Sequence, residues 1–225
     1  MIISYDKKFI FFHVAKVAGT SIKSALEDWA QEPEKFKIKR PKKLLANNEP
    51  NPMYTMWEAF LWHAKAKDAQ KAIPDYNDYY KFAFVRNPWD WQVSMYNFVL
   101  KRTDHAKHEL VKKMQGFEEY LEWVIHAHNP YPKGGTKLQK DIISDDNDNL
   151  IVDYVGRFET LNKDFDHVCQ VLGIESKLPY LNQSNHKKYT AFYNERTKKL
   201  VADHCAADIE LFAYTFDGYK EKNLV

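Results

Sequence analysis

The sequence predicts an α/β sandwich of three layers, a mainly parallel central sheet with helices on both faces. Three observations carry this. Two short apolar runs, 9–14 and 80–86, each lead through a turn into a helical pattern. A third, 150–158, is again followed by one. Strands alternating with helices in this way build parallel sheets with covered faces. With 225 residues, 44% hydrophobic and 28% charged, the chain suits one domain over residues 1–225 with a substantial core.

The first run, Lys8 to Val14, reads as a buried strand. It feeds a turn holding Lys16 and Gly19 and then a helix start. Strand, turn and helix make a phosphate cradle: N–H groups at a helix N-terminus point at the anion, and the helix dipole favours negative charge there. Lys16 adds a full charge. Gly19 admits close approach of a ligand, because it has no Cβ. Thr20 and Ser21 supply hydroxyls and cap the helix. Val17 and Ala18 complete the loop. An ATPase P-loop reads G-x-x-x-x-G-K-[ST]. Here the lysine comes first, the hydroxyl pair follows at 20 and 21, and the leading glycine is missing.

A basic stretch comes next. Residues 33–43 hold Lys35, Lys37, Lys39, Arg40, Lys42 and Lys43 against Glu34. With 47–52 they read as a long irregular connection, either a solvated loop or a lid for an anionic acceptor. A helix then starts at His63 and runs to about Ile73.

The run 80–86 is a strand ending in Arg86-Asn87-Pro88. Asn87 suits the helix cap, Pro88 the first helical position, and Asp90 the first turn. The helix runs to about Lys101, and Trp91, Met95, Phe98 and Val99 form its buried face. Arg86 stands at the carboxyl end of a strand, where open α/β sheets bind ligands. Ser94 lies two turns into the helix. An arginine fork and a hydroxyl clamp a second phosphate.

The second half reads as scaffold. Strands are expected at 139–144 and 150–158, joined by an acidic turn at 145–149. That turn lacks the glycine and glutamate of a calcium loop. Leu161, Phe165, Val168, Cys169 and Leu172 mark one face of a helix that Gly173 ends. A last helix spans 194–212, with Leu200, Val201, His204, Ile209 and Phe212 inward.

The two cradle blocks together resemble one family. A lysine-first loop ending in Gly19-Thr20-Ser21, then Phe84-Val85-Arg86-Asn87-Pro88 and Ser94, is similar to the sulfotransferases that use 3′-phosphoadenosine 5′-phosphosulfate (PAPS). The wording from His13 to Ile22 resembles the carbohydrate branch, which includes uronosyl 2-O-sulfotransferases. Weaker likeness continues at 155–159, 181–184 and 208–212. The resemblance implies a P-loop-NTPase-like three-layer sandwich and PAPS as co-substrate with no metal. It implies that Lys16, Val17, Ala18, Gly19, Thr20 and Ser21 hold the 5′-phosphosulfate, with Arg86 and Ser94 on the 3′-phosphate and Ser184 closing over the nucleotide. It also implies Lys16 and His63 as catalytic residues. A histidine between the two PAPS blocks acts as base in the resembling enzymes, and His63 falls there. His13 is the runner-up, and Glu58 and Asp90 are possible carboxylate bases.

The sulfuryl group is expected to pass to a hydroxyl or an amine of a carbohydrate or small hydroxylated molecule, and the oligomeric state is open. One competing reading is an ATP- and magnesium-dependent small-molecule kinase. Against it, 150–153 reads as mid-strand and not as a strand ending in a metal-binding Asp153. The other is a nucleotide-binding module without chemistry. A net charge of +2 is too small to argue for a nucleic-acid partner. No run nears the length of a membrane span. Cys169 and Cys205 read as buried thiols in a reducing compartment. With no secretory signal pattern, the expected location is cytoplasmic.

Overall fold

Strand β1 (Ile2–Ser4) turns back antiparallel onto β2 (Phe9–Phe12), pairing Ile2 with Phe11 and Ser4 with Phe9. The computed structural model describes residues 1–30, 63–128, 130–131, 136–179, 188–222 and 224, with the backbone of 38–39 and 58–59. Strand β2 pairs parallel with β5 (Tyr80–Val85), which pairs parallel with β6 (Tyr154–Arg157). The order is β1-β2-β5-β6 among the described residues, so the sheet is mainly parallel with one antiparallel edge. All of β2 and nearly all of β5 are buried. Strands covered on both faces read as continuous apolar runs, which is why FIFF and KFAFV stand out in the sequence. Short antiparallel pairs are formed by β3 (Ile38–Lys39) with β4 (Glu58–Ala59), and by β7 (Tyr214–Thr215) with β8 (Gly218–Tyr219).

The sheet is flanked by helices. They are α1 (Gly19–Ala25), α2 (Ala66–Ala72), α3 (Pro88–Lys101), α4 (His108–Lys112), α5 (Phe117–His126), α6 (Lys140–Ile143), α7 (Leu161–Leu172), α8 (Glu195–His204) and α9 (Ala206–Leu211). Helix α3 starts as its sequence requires. The Asn87 side chain accepts the Trp89 N–H at 3.1 Å, and Pro88 occupies the first turn. Trp91, Met95 and Val99 are buried, and Phe98 is half-buried. Helix α7 ends in the left-handed Gly173 (φ 59°). Cys169 and Cys205 are buried free thiols. No helix of the described residues is long and apolar enough to cross a membrane.

Several expected elements differ. The strand expected at 139–144 is a short helix, α6, capped by the carboxylate of Asp208 on the Gln139 and Lys140 N–H groups at 2.8 and 3.0 Å. The strand at 150–158 shrinks to β6, since Leu150 makes only an isolated bridge to Ser144 and Phe158 opens a 3-10 turn. The acidic turn between them folds on itself, the Asp145 carboxylate accepting N–H groups of Asn147 and Asn149. Asp153 precedes β6, at the end opposite the ligand edge, and its carboxylate takes the Lys81 N–H and ammonium. The helix expected from His63 begins at Ala66. The last helix breaks at Cys205 (φ −99°, ψ 19°) into α8 and α9. His108 is buried, with Nδ1 3.0 Å from the Val99 carbonyl oxygen.

Candidate active site

The loop 13–18 leaves the carboxyl end of β2 and enters α1. Lys16 (φ 63°) and Ala18 (φ 61°) both adopt left-handed backbone. Non-glycine residues held there are strained by roughly 1–3 kcal/mol each and cluster at ligand sites. Ala18 is the N-cap and no side chain caps the helix. Thr20 and Ser21 therefore sit inside α1, Thr20 exposed and Ser21 buried, and do not cap it. Val17 is fully buried and anchors the loop.

Helix α3 and the end of β5 hold the loop in shape. The Trp91 indole N–H donates to the Ala15 carbonyl at 2.7 Å. Arg86 Nη1 donates to the Lys16 carbonyl at 3.2 Å. Arg86 is buried, with Nε on Asp90 Oδ2 at 2.8 Å and its plane 4.0 Å over the Phe158 ring. Asp90 is thus the ion-pair partner of Arg86. Ser94 is buried two turns further along α3.

The Lys16 ammonium rests 4.3 Å over the Phe98 ring of α3. Burial, then the charges of Arg86, Lys101 and Arg102, lower its pKa to about 8. With Arg86 paired to Asp90, the Lys16 ammonium is the group that burial and neighbouring cations disfavour, and an anionic group with phosphate-like oxygens beside it would relieve that.

Gly19 is required for a reason that differs from the expected one. A Cβ there would lie 1.8 Å from Nε2 of His13. The space is filled by a histidine ring, so close approach is made by the protein itself and not by a ligand. Gly19→Ala must displace that ring, and overpacking of this kind destabilises by about 1–3 kcal/mol. A thermal melt checks it; an unchanged Tm would show that His13 moves aside freely.

His13 in turn orders His63. Its carbonyl oxygen lies 2.8 Å from His63 Nδ1, and the rings are 4.6 Å apart. A carbonyl only accepts, so Nδ1 carries the proton and Nε2 keeps the lone pair. Burial is the main cause that holds the His63 pKa below 6.5. Burial, with His63 beside it, depresses His13 further.

Ser184, the basic stretch 33–43 and residues 47–52 lie outside the described residues, apart from the backbone of 38–39; of Glu58 only the backbone is described. Sequence reasoning missed Gln139. It is fully buried, and its amide takes both backbone groups of Arg86. A glutamine at the edge of an apolar stretch gives no local sign of such a role. No three His, Cys, Asp or Glu among the described residues come together as a metal site.

Comparison with known proteins agrees in kind. The model of the sulfotransferase family matches residues 1–217. Carbohydrate sulfotransferase 11 of Mus musculus is 23% identical over 245 residues, covering 96% of this chain and 65% of its own length. The same protein of Rattus norvegicus matches at 23% with the same coverage. The chain thus spans 65% of the length of these curated relatives. The solved sulfotransferase of Alicyclobacillus acidocaldarius superposes with a TM-score of 0.49 at 17% identity, covering 93% of this chain and 97% of that one.

Proposed function

The chain belongs to the sulfotransferase family, and on that premise we propose that it moves a sulfuryl group from PAPS to a hydroxyl of a carbohydrate acceptor. The observation that carries the reading is the pair Lys16 and Arg86, two partly or fully buried cations at the carboxyl ends of adjacent parallel strands. PAPS is anionic at both ends and needs two separated anion sites. The carbohydrate comes from the names of the curated relatives.

When bound, PAPS supplies an activated sulfuryl group with a phosphate as leaving group. Residues 15–21 hold the 5′ end, and the Lys16 ammonium, moving off Phe98, neutralises charge on the oxygen between sulfur and phosphorus. The remaining in-plane N–H groups of Arg86, with Ser94, hold the 3′-phosphate, and Ser184 closes over the nucleotide. His63 Nε2 takes the acceptor hydroxyl proton. The acceptor oxygen forms its bond to sulfur as the bond from sulfur to the departing phosphate oxygen breaks.

Calorimetric titration with 3′-phosphoadenosine 5′-phosphate in EDTA tests the reading, with ATP in EDTA and ATP plus magnesium as comparison ligands. Metal-independent binding of the bisphosphate, clearly tighter than ATP, is the expected result. A preference for magnesium-ATP would overturn the roles of Arg86 and Ser94.

A further inference from the structure

Arg86 owes its backbone position to a residue that the reaction never touches. Strand β6 gives its last register pair to Val85, opposite Arg157. One residue further on, the peptide groups of Arg86 are met by a side chain. The Arg86 N–H donates to Gln139 Oε1 at 2.9 Å, and Gln139 Nε2 donates to the Arg86 carbonyl at 2.7 Å. A carboxamide placed this way copies the two bonds that a neighbouring strand exchanges with a residue. Gln139 has no solvent exposure.

Gln139 is itself seated from far along the chain. Its backbone N–H and that of Lys140 donate to the two carboxylate oxygens of Asp208, a fully buried residue of α9. The order of contact is α9, the start of α6, then the end of β5. The Arg86 guanidinium leaves that backbone to reach Asp90, the Lys16 carbonyl and the Phe158 ring. Its aim depends on where its Cα stands. Asp90 and Phe158 fix only the far end of the side chain, so Gln139 supplies the near end.

We propose that Gln139, held by Asp208, is a positioning residue for Arg86 and thereby sets recognition of the nucleotide 3′-phosphate. The inference rests on the reading of Arg86 as a 3′-phosphate ligand. Small errors of placement are costly where charged groups must meet in a fixed geometry. The amide is needed for this and an apolar side chain of similar volume is not enough: methionine fills the space but leaves the Arg86 N–H and carbonyl unpaired.

The test compares two ligands in EDTA by calorimetry, 3′-phosphoadenosine 5′-phosphate and adenosine 5′-phosphate, which lacks the 3′-phosphate. Wild type is expected to prefer the bisphosphate. Gln139→Met is expected to weaken the bisphosphate by about tenfold while adenosine 5′-phosphate changes by less than about twofold. With PAPS as donor, its KM rises and kcat stays. Gln139→Glu keeps the acceptor for the Arg86 N–H but sets a carboxylate against the carbonyl, and weakens the bisphosphate at least as much as Gln139→Met. Asp208→Asn keeps one acceptor of two and shifts in the same direction, so these two variants carry the test if Gln139→Met does not fold. Equal loss for both ligands, or unchanged discrimination in a variant that melts earlier, would reduce Gln139 to holding the fold and overturn the proposal alone. Equal affinity of wild type for both ligands would overturn the reading of Arg86, and the proposal with it.

Discussion

His63→Ala lowers kcat by about 10²- to 10⁴-fold, the usual contribution of a positioned general base. Affinity for 3′-phosphoadenosine 5′-phosphate stays within about twofold if His63 serves the acceptor, as proposed, and not the nucleotide. The tautomer is the reason for expecting so large an effect. Nδ1 is committed to the His13 carbonyl at 2.8 Å, which leaves Nε2 as the basic nitrogen. Burial holds the ring below its ordinary pKa of 6.5, so it is neutral and competent at pH 7. The acid limb of kcat/KM therefore lies below 6.5 and disappears in the variant. His63→Gln can still donate to the His13 carbonyl but cannot accept and carry a proton. It should lose as much kcat as alanine while its Tm stays closer to wild type. Full activity in either variant would move the base to another residue.

Lys16→Met costs about 10²- to 10³-fold in kcat/KM, as removal of one charge-stabilising donor does elsewhere. The wild-type enzyme should also show a pH dependence that an ordinary lysine lacks. Burial and the neighbouring cations lower this ammonium to about 8, from 10.5. An anion binds the protonated form. Bisphosphate affinity is therefore level from about pH 7 to 8, above the phosphate's own titration at about pH 6, and falls by up to about tenfold per unit above pH 8. Lys16→Arg, charged throughout, should bind with a flat profile. Titrations at pH 7 and pH 9 decide the matter: a wild-type affinity unchanged between them would mean that the charge is not being lost there.

Much of the fold was legible because its physics is local. β2 and β5 are buried on both faces and so announce themselves as unbroken apolar runs. Asn87 and Pro88 carry their own helix start, and Gly173 its own stop. What could not be read depends on distant partners. A short run such as 139–144 suits helix or strand, and periodicity does not separate them. The decision came from Asp208, whose carboxylate caps α6 from 68 and 69 residues away. The break at Cys205 was hidden for another reason. Val201, Cys205, Asp208 and Phe212 are all buried and keep helical spacing straight through it. In the site, Lys16, Arg86 and His63 could be picked out as residue types at a strand end or between the blocks. The link from Gly19 through His13 to His63 could not, because it runs through a ring packed on a Cα and a carbonyl aimed at a ring, and neither leaves a pattern in sequence.

The C-terminal hairpin has a consequence for how the protein is made. The Asn87 side chain donates to the carbonyls of Thr215 and Gly218, 128 and 131 residues further along, and Tyr214 holds Glu159, which in turn accepts the Asn87 N–H. The strand end that presents Arg86 is therefore finished by segments synthesised long after it. At roughly 5–20 residues per second, a ribosome needs about 7–25 s to pass from one to the other. For that interval β5 has emerged while its last turn lacks these partners. A nascent chain halted before residue 214 should fail to bind the bisphosphate even with the whole phosphate loop and Arg86 already exposed, so that ligand binding reports synthesis past this hairpin.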